Sequence, residues 1–255
     1  MIKHLVGSAT ALVLPKCRFD RSIFIMGHMR CGSTALSNIL CSHPQISGYG
    51  EAHIRYKSRS ELGLLVLNQI KRNSYRRNSN YLFDKILHSR YDSEDFADFF
   101  ESRVIFMIRE PIKTIQSIRN LFSSIGSNEY SNDISVSDYY EERICSLMAN
   151  WENFPPLHRI GISFEQLKAN PEKNLEKISE MIGLSPALTN NYQQPKNGLA
   201  HGAGDPLTSH KYNKIISENI STTSTDELRQ IKLPDSRIQA LHNLYRQALS
   251  TVTQV

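Results

Sequence analysis

Short apolar runs separated by longer stretches of helical periodicity set the pattern of this chain. Residues 22–26 (SIFIM), 81–87 (YLFDKIL), 103–108 (RVIFMI) and 159–163 (RIGIS) are rich in Ile, Phe and Val and mostly lack strict alternation, as strands covered on both faces do. Helical spacing fills the gaps. Residues 34–41 read as a helix, and residues 60–72 carry Leu62, Leu65, Val66 and Ile70 at helical intervals. Residues 92–102 (DSEDFADFFES) read as a capped helix with acid in its first turn. Pro111 fits the first position of a helix whose face holds Ile112, Ile115, Ile118 and Phe122. Residues 136–154 predict a long helix with the only tryptophan, Trp151, as a core residue, and residues 164–184 a turn and an amphipathic helix between Pro171 and Gly183. Two further helices are expected over 225–232 and 234–251.

Strands alternating with helices predict an α/β fold in three layers, with a central parallel sheet, helices on both faces and ligands at the carboxyl ends of the strands. No internal repeat interrupts it. A single domain over residues 1–255 is expected, with an N-terminal segment at 1–21 and a closing region of loop and helices at 195–255.

Composition narrows the class. The chain has 255 residues, 40% apolar and 22% charged, and no run of about 18 apolar residues that would span a membrane. Residues 5–14 (LVGSATALVL) resemble the apolar part of a signal peptide, but PKCRFD follows without a small-residue cleavage site. Cys17, Cys31, Cys41 and Cys145 have neither C-x-x-C nor paired-His spacing, so reduced thiols, no metal site and a cytoplasmic location are expected. A formal charge of +5 suits a multiply anionic small ligand without excluding nucleic acid by itself. The basic piece at 71–80 (KRNSYRRNSN) has a solvated loop as its plain reading and a grip on an acidic partner as the alternative.

The chemistry concentrates at residues 23–34, IFIMGHMRCGST. A strand, a glycine-flanked loop and a helix start aim backbone N–H groups at one spot, an arrangement that holds phosphate. The spacing is nearly G-x-x-x-x-G-K-[ST], with Gly27, Gly32 and Thr34 in place, yet Ser33 stands where lysine is required. The nearby cation is Arg30, inside the loop. A second pair of donors, Arg109 at the end of RVIFMI and Ser117 eight residues on, suits another anion held away from the loop.

The loop GHMRCGSTAL, the segment REPIKTIQS and FEQLKANPEKNLEKISEMIGL together resemble the sulfotransferases that use 3′-phosphoadenosine-5′-phosphosulfate (PAPS), in their carbohydrate-type and bacterial branch. The resemblance covers about residues 23–184 and implies a P-loop-like sulfotransferase fold. It implies that Arg30, Cys31, Gly32, Ser33 and Thr34 bind the 5′-phosphosulfate and that Arg109 and Ser117 bind the 3′-phosphate. His201, Gly202 and Gly204 in HGAGDP resemble the segment that covers the nucleotide, with Lys211 standing for a basic residue often found there. Arg30 occupies the place where many relatives carry lysine.

The implied reaction moves a sulfuryl group from PAPS to a hydroxyl, releasing 3′-phosphoadenosine-5′-phosphate (PAP), with no metal required. Glu51 in GYGEAH falls where several relatives keep a catalytic glutamate; His53 is the next candidate base, then His28 and His88. Lys85 sits like a family lysine, with a structural ion pair as its safer reading. A sugar, a glycolipid and a secondary metabolite all fit as acceptor, with loops in 49–80 and 123–140 expected to shape its pocket. The alternatives are a P-loop kinase or NTPase, disfavoured by Ser33 and Arg109, and a PAP-binding module without turnover. Neither a nucleic-acid partner nor a particular oligomeric state is implied.

Overall fold

The computed structural model describes residues 2–93, 96–193, 212–217 and 230–252. In chain order these form α1 (Ile2–Val13), β1 (Ser22–Gly27), α2 (Ser33–Ser42), β2 (Ile46–Ser47), α3 (Arg59–Lys71), β3 (Tyr81–Ile86) and β4 (Arg103–Ile108). There follow α4 (Pro111–Ser124), α5 (Asp133–Trp151), β5 (Arg159–Ser163), α6 (Phe164–Ala169), α7 (Pro171–Ile182) and α8 (Asp235–Val252). All strand pairs are parallel, in the order β2-β3-β1-β4-β5. The expected three-layer α/β architecture is therefore present.

Strand alternation splits the core in two. Phe24 and Met26 of β1 point to one face, where α3, α4, α5 and α8 supply Leu62, Ile115, Tyr140 and Leu241. Ile23 and Ile25 point to the other, against Leu36 of α2 and Ile178 of α7. The chain leaves β1 for α2 on the second face but leaves β4 for α4 on the first. Connections that diverge from adjacent strands open a crevice between their carboxyl ends, and here it lies between β1 and β4.

Local chemistry sets the helix ends that frame this crevice. Glu110 caps α4 by accepting from the N–H groups of Ile112 (3.1 Å) and Lys113 (2.8 Å), and Pro111 takes the first position as expected. Ser163 and Gln166 form a reciprocal capping box at α6. Gly183 ends α7 in the left-handed region at φ 79°.

Four sequence expectations need correction or lie out of reach. Residues 92–102 form no α-helix in their described part; only a 3₁₀ turn, Ala97–Glu101, is present, because Phe96 and Phe99 turn into the core beside Phe19. The N-terminal segment contains the helix α1, and the two-residue strand β2 sits between the helices expected at 34–41 and 60–72, where no strand was expected. The helix expected over 225–232 falls almost wholly outside the described residues.

One buried cation ties the strand ends together. Arg143 of α5 is fully buried and donates from Nε to Gly27 O (2.8 Å) and from Nη2 to Ile86 O (3.1 Å), the last residues of β1 and β3. Its Nη1 meets Asp92 Oδ2 at 2.5 Å, and Asp92 is only 1% exposed. A buried pair is expensive to break from one side, because the remaining charge stays desolvated. Arg143→Met is expected to destabilise the fold by about 3–5 kcal/mol, read as a lower urea midpoint, with Asp92→Asn shifting it in the same direction.

Candidate functional site

Turn geometry brings the loop of residues 28–32 into shape. Arg30 and Gly32 both adopt left-handed backbone, at φ 66° and 88°, which is unusual for an arginine and natural for a glycine. A Cβ on Gly32 would collide with the ring of Phe164, so the glycine is needed for packing as well as conformation. Gly32 also caps α2 without any side-chain bond to its first N–H groups. That helix start presents positive backbone charge to the crevice.

The loop and the second motif touch. Arg30 Nε donates to Ser117 Oγ at 2.9 Å, and Arg109 Nη1 donates to Arg30 O at 3.0 Å. Two motifs some eighty residues apart are thereby one cluster. The Arg109 guanidinium lies 4.4 Å from the centre of the Phe164 ring, and burial lowers its pKa, partly opposed by Glu165. Its Nε is buried and has no acceptor among the described residues. Glu165 is engaged elsewhere, taking Glu110 N–H at 3.3 Å and Tyr245 O–H at 2.9 Å. Cys31 and Ser33 are buried beneath the loop and Thr34 is half-buried, and burial pushes the Cys31 thiol up.

On the other side of β1, a second group of polar side chains gathers around the end of β3. Glu51 is 8% exposed and its Oε1 lies 3.3 Å from His53 Nε2, without the alignment of a full hydrogen bond. Burial alone would raise the Glu51 carboxyl, but contact with His53, then Lys85 and His88, outweighs it and holds the pKa below the ordinary value. Contact with Glu51 raises His53. Lys85 is buried and acts electrostatically on both Glu51 and the Cys31 thiol.

His28 has no nitrogen to spare. Its Nδ1 faces Met29 O at 2.8 Å while Nε2 accepts from Arg109 N–H at 3.0 Å, which fixes a neutral tautomer. Complete burial pushes its pKa down to about 3. A histidine so placed shapes the loop, with both ring nitrogens engaged by backbone groups. His88 is half-buried and burial lowers its pKa.

Several site-building residues escaped the sequence reading. Tyr139 accepts from Met29 N–H (2.8 Å) and donates to Leu87 O (2.8 Å), so one hydroxyl joins the phosphate-type loop to the end of β3. Asp84 accepts from Ala52 N–H (2.8 Å) and the Tyr56 hydroxyl (2.6 Å), fixing the strap that carries Glu51 and His53. Burial raises the Asp84 carboxyl to about 7. A signal existed for Arg143: with Tyr140, Ile144 and Leu147 it shares the apolar face of α5.

Other expected features lie apart. His201, Gly202, Gly204 and Lys211 fall outside the described residues. A cleft of about 810 Å³ beside the β2 edge, lined by Asn38, Tyr49, Arg72, Arg76 and Tyr192, contains none of Arg30, Arg109, Ser117 or Glu51.

Comparison with known proteins bears on the family and the fold. A model of the Sulfotransferase family matches residues 22–102 and 66–187. The fold is similar to the sulfotransferase domain from the curacin biosynthetic pathway, with TM-score 0.57 and 17% identity over 88% of this chain and 96% of that one. The same TM-score and identity relate it to the sulfotransferase domain of the Synechococcus PCC 7002 olefin synthase, over 88% and 94% of the two chains. A mouse sulfotransferase complexed with PAP gives TM-score 0.52 and 12% identity over 96% and 90%. No curated protein sequence matches the chain. The family match spans well over half of the chain and the shared fold covers most of it, so the chain belongs to the sulfotransferase family.

Proposed function

We propose that this protein transfers the sulfuryl group of PAPS to a hydroxyl of a small-molecule or carbohydrate acceptor, giving a sulfate ester and PAP. The observation that carries the reading is the contact of Arg30 with Ser117 and of Arg109 with the backbone of Arg30. Two anion-binding motifs joined in this way suit a nucleotide with phosphate at both its 3′ and 5′ positions. The donor set fits such a ligand: Arg109 Nε is buried without an acceptor among the described residues, and the start of α2 has no side-chain cap.

PAPS supplies the sulfuryl group, and the protein's part is to position it and neutralise charge. Residues 30–34 hold the 5′ end with backbone N–H groups and the Arg30 cation. Arg30 stabilises the negative charge that develops on the bridging oxygen as the S–O bond to the nucleotide breaks. Arg109 and Ser117 hold the 3′-phosphate. Glu51, ionised at neutral pH, accepts the proton of the acceptor hydroxyl as its oxygen bonds to sulfur, and His53 orients the carboxylate. The loops within 49–80 and 123–140 select the acceptor, and the reduced cysteines suit a cytoplasmic setting.

Incubation with PAPS and a panel of alcohols is expected to release PAP; failure to bind either nucleotide overturns the assignment. Glu51→Gln should keep PAP affinity and lower turnover by about 10²–10⁴-fold. If that variant retains full activity, the base lies elsewhere. Because the folded Glu51 carboxyl is held low, it loses its charge only as pH falls below the ordinary carboxylate range. The acid limb of kcat/KM should therefore sit below pH 4.5 and disappear in Glu51→Gln, measured at low pH within the range where the fold persists.

A further inference from the structure

Helix α1 is apolar on the side that faces the protein and on the side that does not. Its inner side packs on α3 so closely that the backbones of Gly7 and Gly63 touch, with Ala11 buried beside them. On a helical projection the opposite side carries Leu5, Ala9, Leu12 and Val13. Leu5 is 65% exposed, Leu12 85% and Val13 77%. A contiguous exposed apolar patch marks an interaction surface.

The neighbouring chemistry identifies the cover. Lys16, three residues past the end of α1, donates to Arg76 O (2.8 Å), Arg77 O (2.9 Å) and Ser79 Oγ (3.0 Å), which brings residues 76–79 of the basic segment to the turn that follows this helix. Within that segment Arg76 is occupied, donating to His43 O and Ile46 O, and Arg72 stacks 4.2 Å from the Tyr49 ring centre. Lys71 and Arg77 are exposed, and the half-exposed Ile70 stands beside Lys71. Between Glu61 and Asp84 the sequence has four cations and no Asp or Glu.

We propose that α1 and the segment 71–77 form a docking surface for an anionic lipid bilayer. The helix has 12 residues and no helix among those described is long and apolar enough to cross a membrane, so α1 lies in the plane of the interface. Leu5, Leu12 and Val13 enter the boundary of headgroups and acyl chains, while Lys71 and Arg77 meet lipid phosphates. A second copy of the chain is a poorer occupant. In a two-fold interface the patch meets itself, which brings the two sets of cations towards each other. This inference is independent of the reaction assigned above.

The test is flotation of the full chain with vesicles of equimolar phosphatidylcholine and phosphatidylglycerol, against vesicles of phosphatidylcholine alone. The intact chain should float with the mixed vesicles and much less with the neutral ones, and added salt should weaken the binding. Two variants divide the surface: Leu5→Gln with Leu12→Gln and Val13→Gln, and Lys71→Glu with Arg77→Glu. Each should bind mixed vesicles about tenfold or more weakly while keeping its circular dichroism. The second alters only exposed side chains, so it decides the matter if the first fails to fold. Equal binding by intact chain and charge-reversed variant overturns the proposal, as does absence of binding to mixed vesicles. A dimer in sedimentation velocity that the glutamine variant dissociates, without vesicle binding by the intact chain, assigns the face to a second copy and also overturns it.

Discussion

The Arg143 guanidinium is the constraint on which the site depends. At the carboxyl end of a parallel sheet the last carbonyls have no further strand residues to pair with, and in a buried setting each needs a donor. Arg143 supplies one to Gly27 and one to Ile86 from a single planar group, and Asp92 balances its charge. Those two residues are where the chain leaves β1 for the phosphate-type loop and leaves β3 for the segment with His88. Lysine has no equivalent fork, and an apolar side chain would leave both carbonyls unmatched. The same Asp92 receives Arg55 Nε at its carbonyl (2.9 Å), so the strap after Glu51 is fastened to the network that fixes the loop.

Around this anchor the polar groups divide on the two sides of β1. Toward β4 stand Arg30, Ser117 and Arg109, all donors suited to anions. Toward β3 stand Glu51, His53, Lys85 and His88, a carboxylate with two imidazoles and an amine around it. The division follows from topology, because β1 is the central strand and its neighbours send their chains to the face opposite α2. Tyr139 spans the divide with one hydroxyl. Lys85 is felt at both Glu51 and Cys31.

Legibility in the sequence tracked the kind of force at work. The strands β1, β3, β4 and β5 were readable because burial on both faces leaves an apolar run, and α4 and α7 because their ends carry proline or glycine. Arg30, Gly32, Arg109 and Ser117 stood out in the sequence by residue type and spacing, and the structure brings Arg30, Arg109 and Ser117 into one cluster beside the left-handed turn at Gly32. Two-residue β2 was not, since two residues carry no period, and α1 was not, since the apolar run at 5–14 drew attention as a signal-peptide likeness rather than for its helical spacing. Residues 92–102 misled because acidic residues beside aromatics suit a helix start, while tertiary packing of Phe96 and Phe99 prevailed. His28 read as a possible base because spacing does not reveal that both nitrogens are spent on backbone groups. The roles of Asp84, Tyr139 and Arg143 depend on contacts tens of residues away in sequence, which no local pattern encodes.

Calorimetry with two nucleotides reads the Arg109 assignment without any turnover. PAP carries phosphate at both ends, whereas adenosine 5′-phosphate lacks the 3′ group. With Arg109→Ala, PAP affinity should fall by about 10–100-fold, the loss of a charge-assisted bond, while adenosine 5′-phosphate affinity should change by less than about threefold. An equal loss for both nucleotides, or none for PAP, would contradict the joining of two anion sites by Arg30, Ser117 and Arg109.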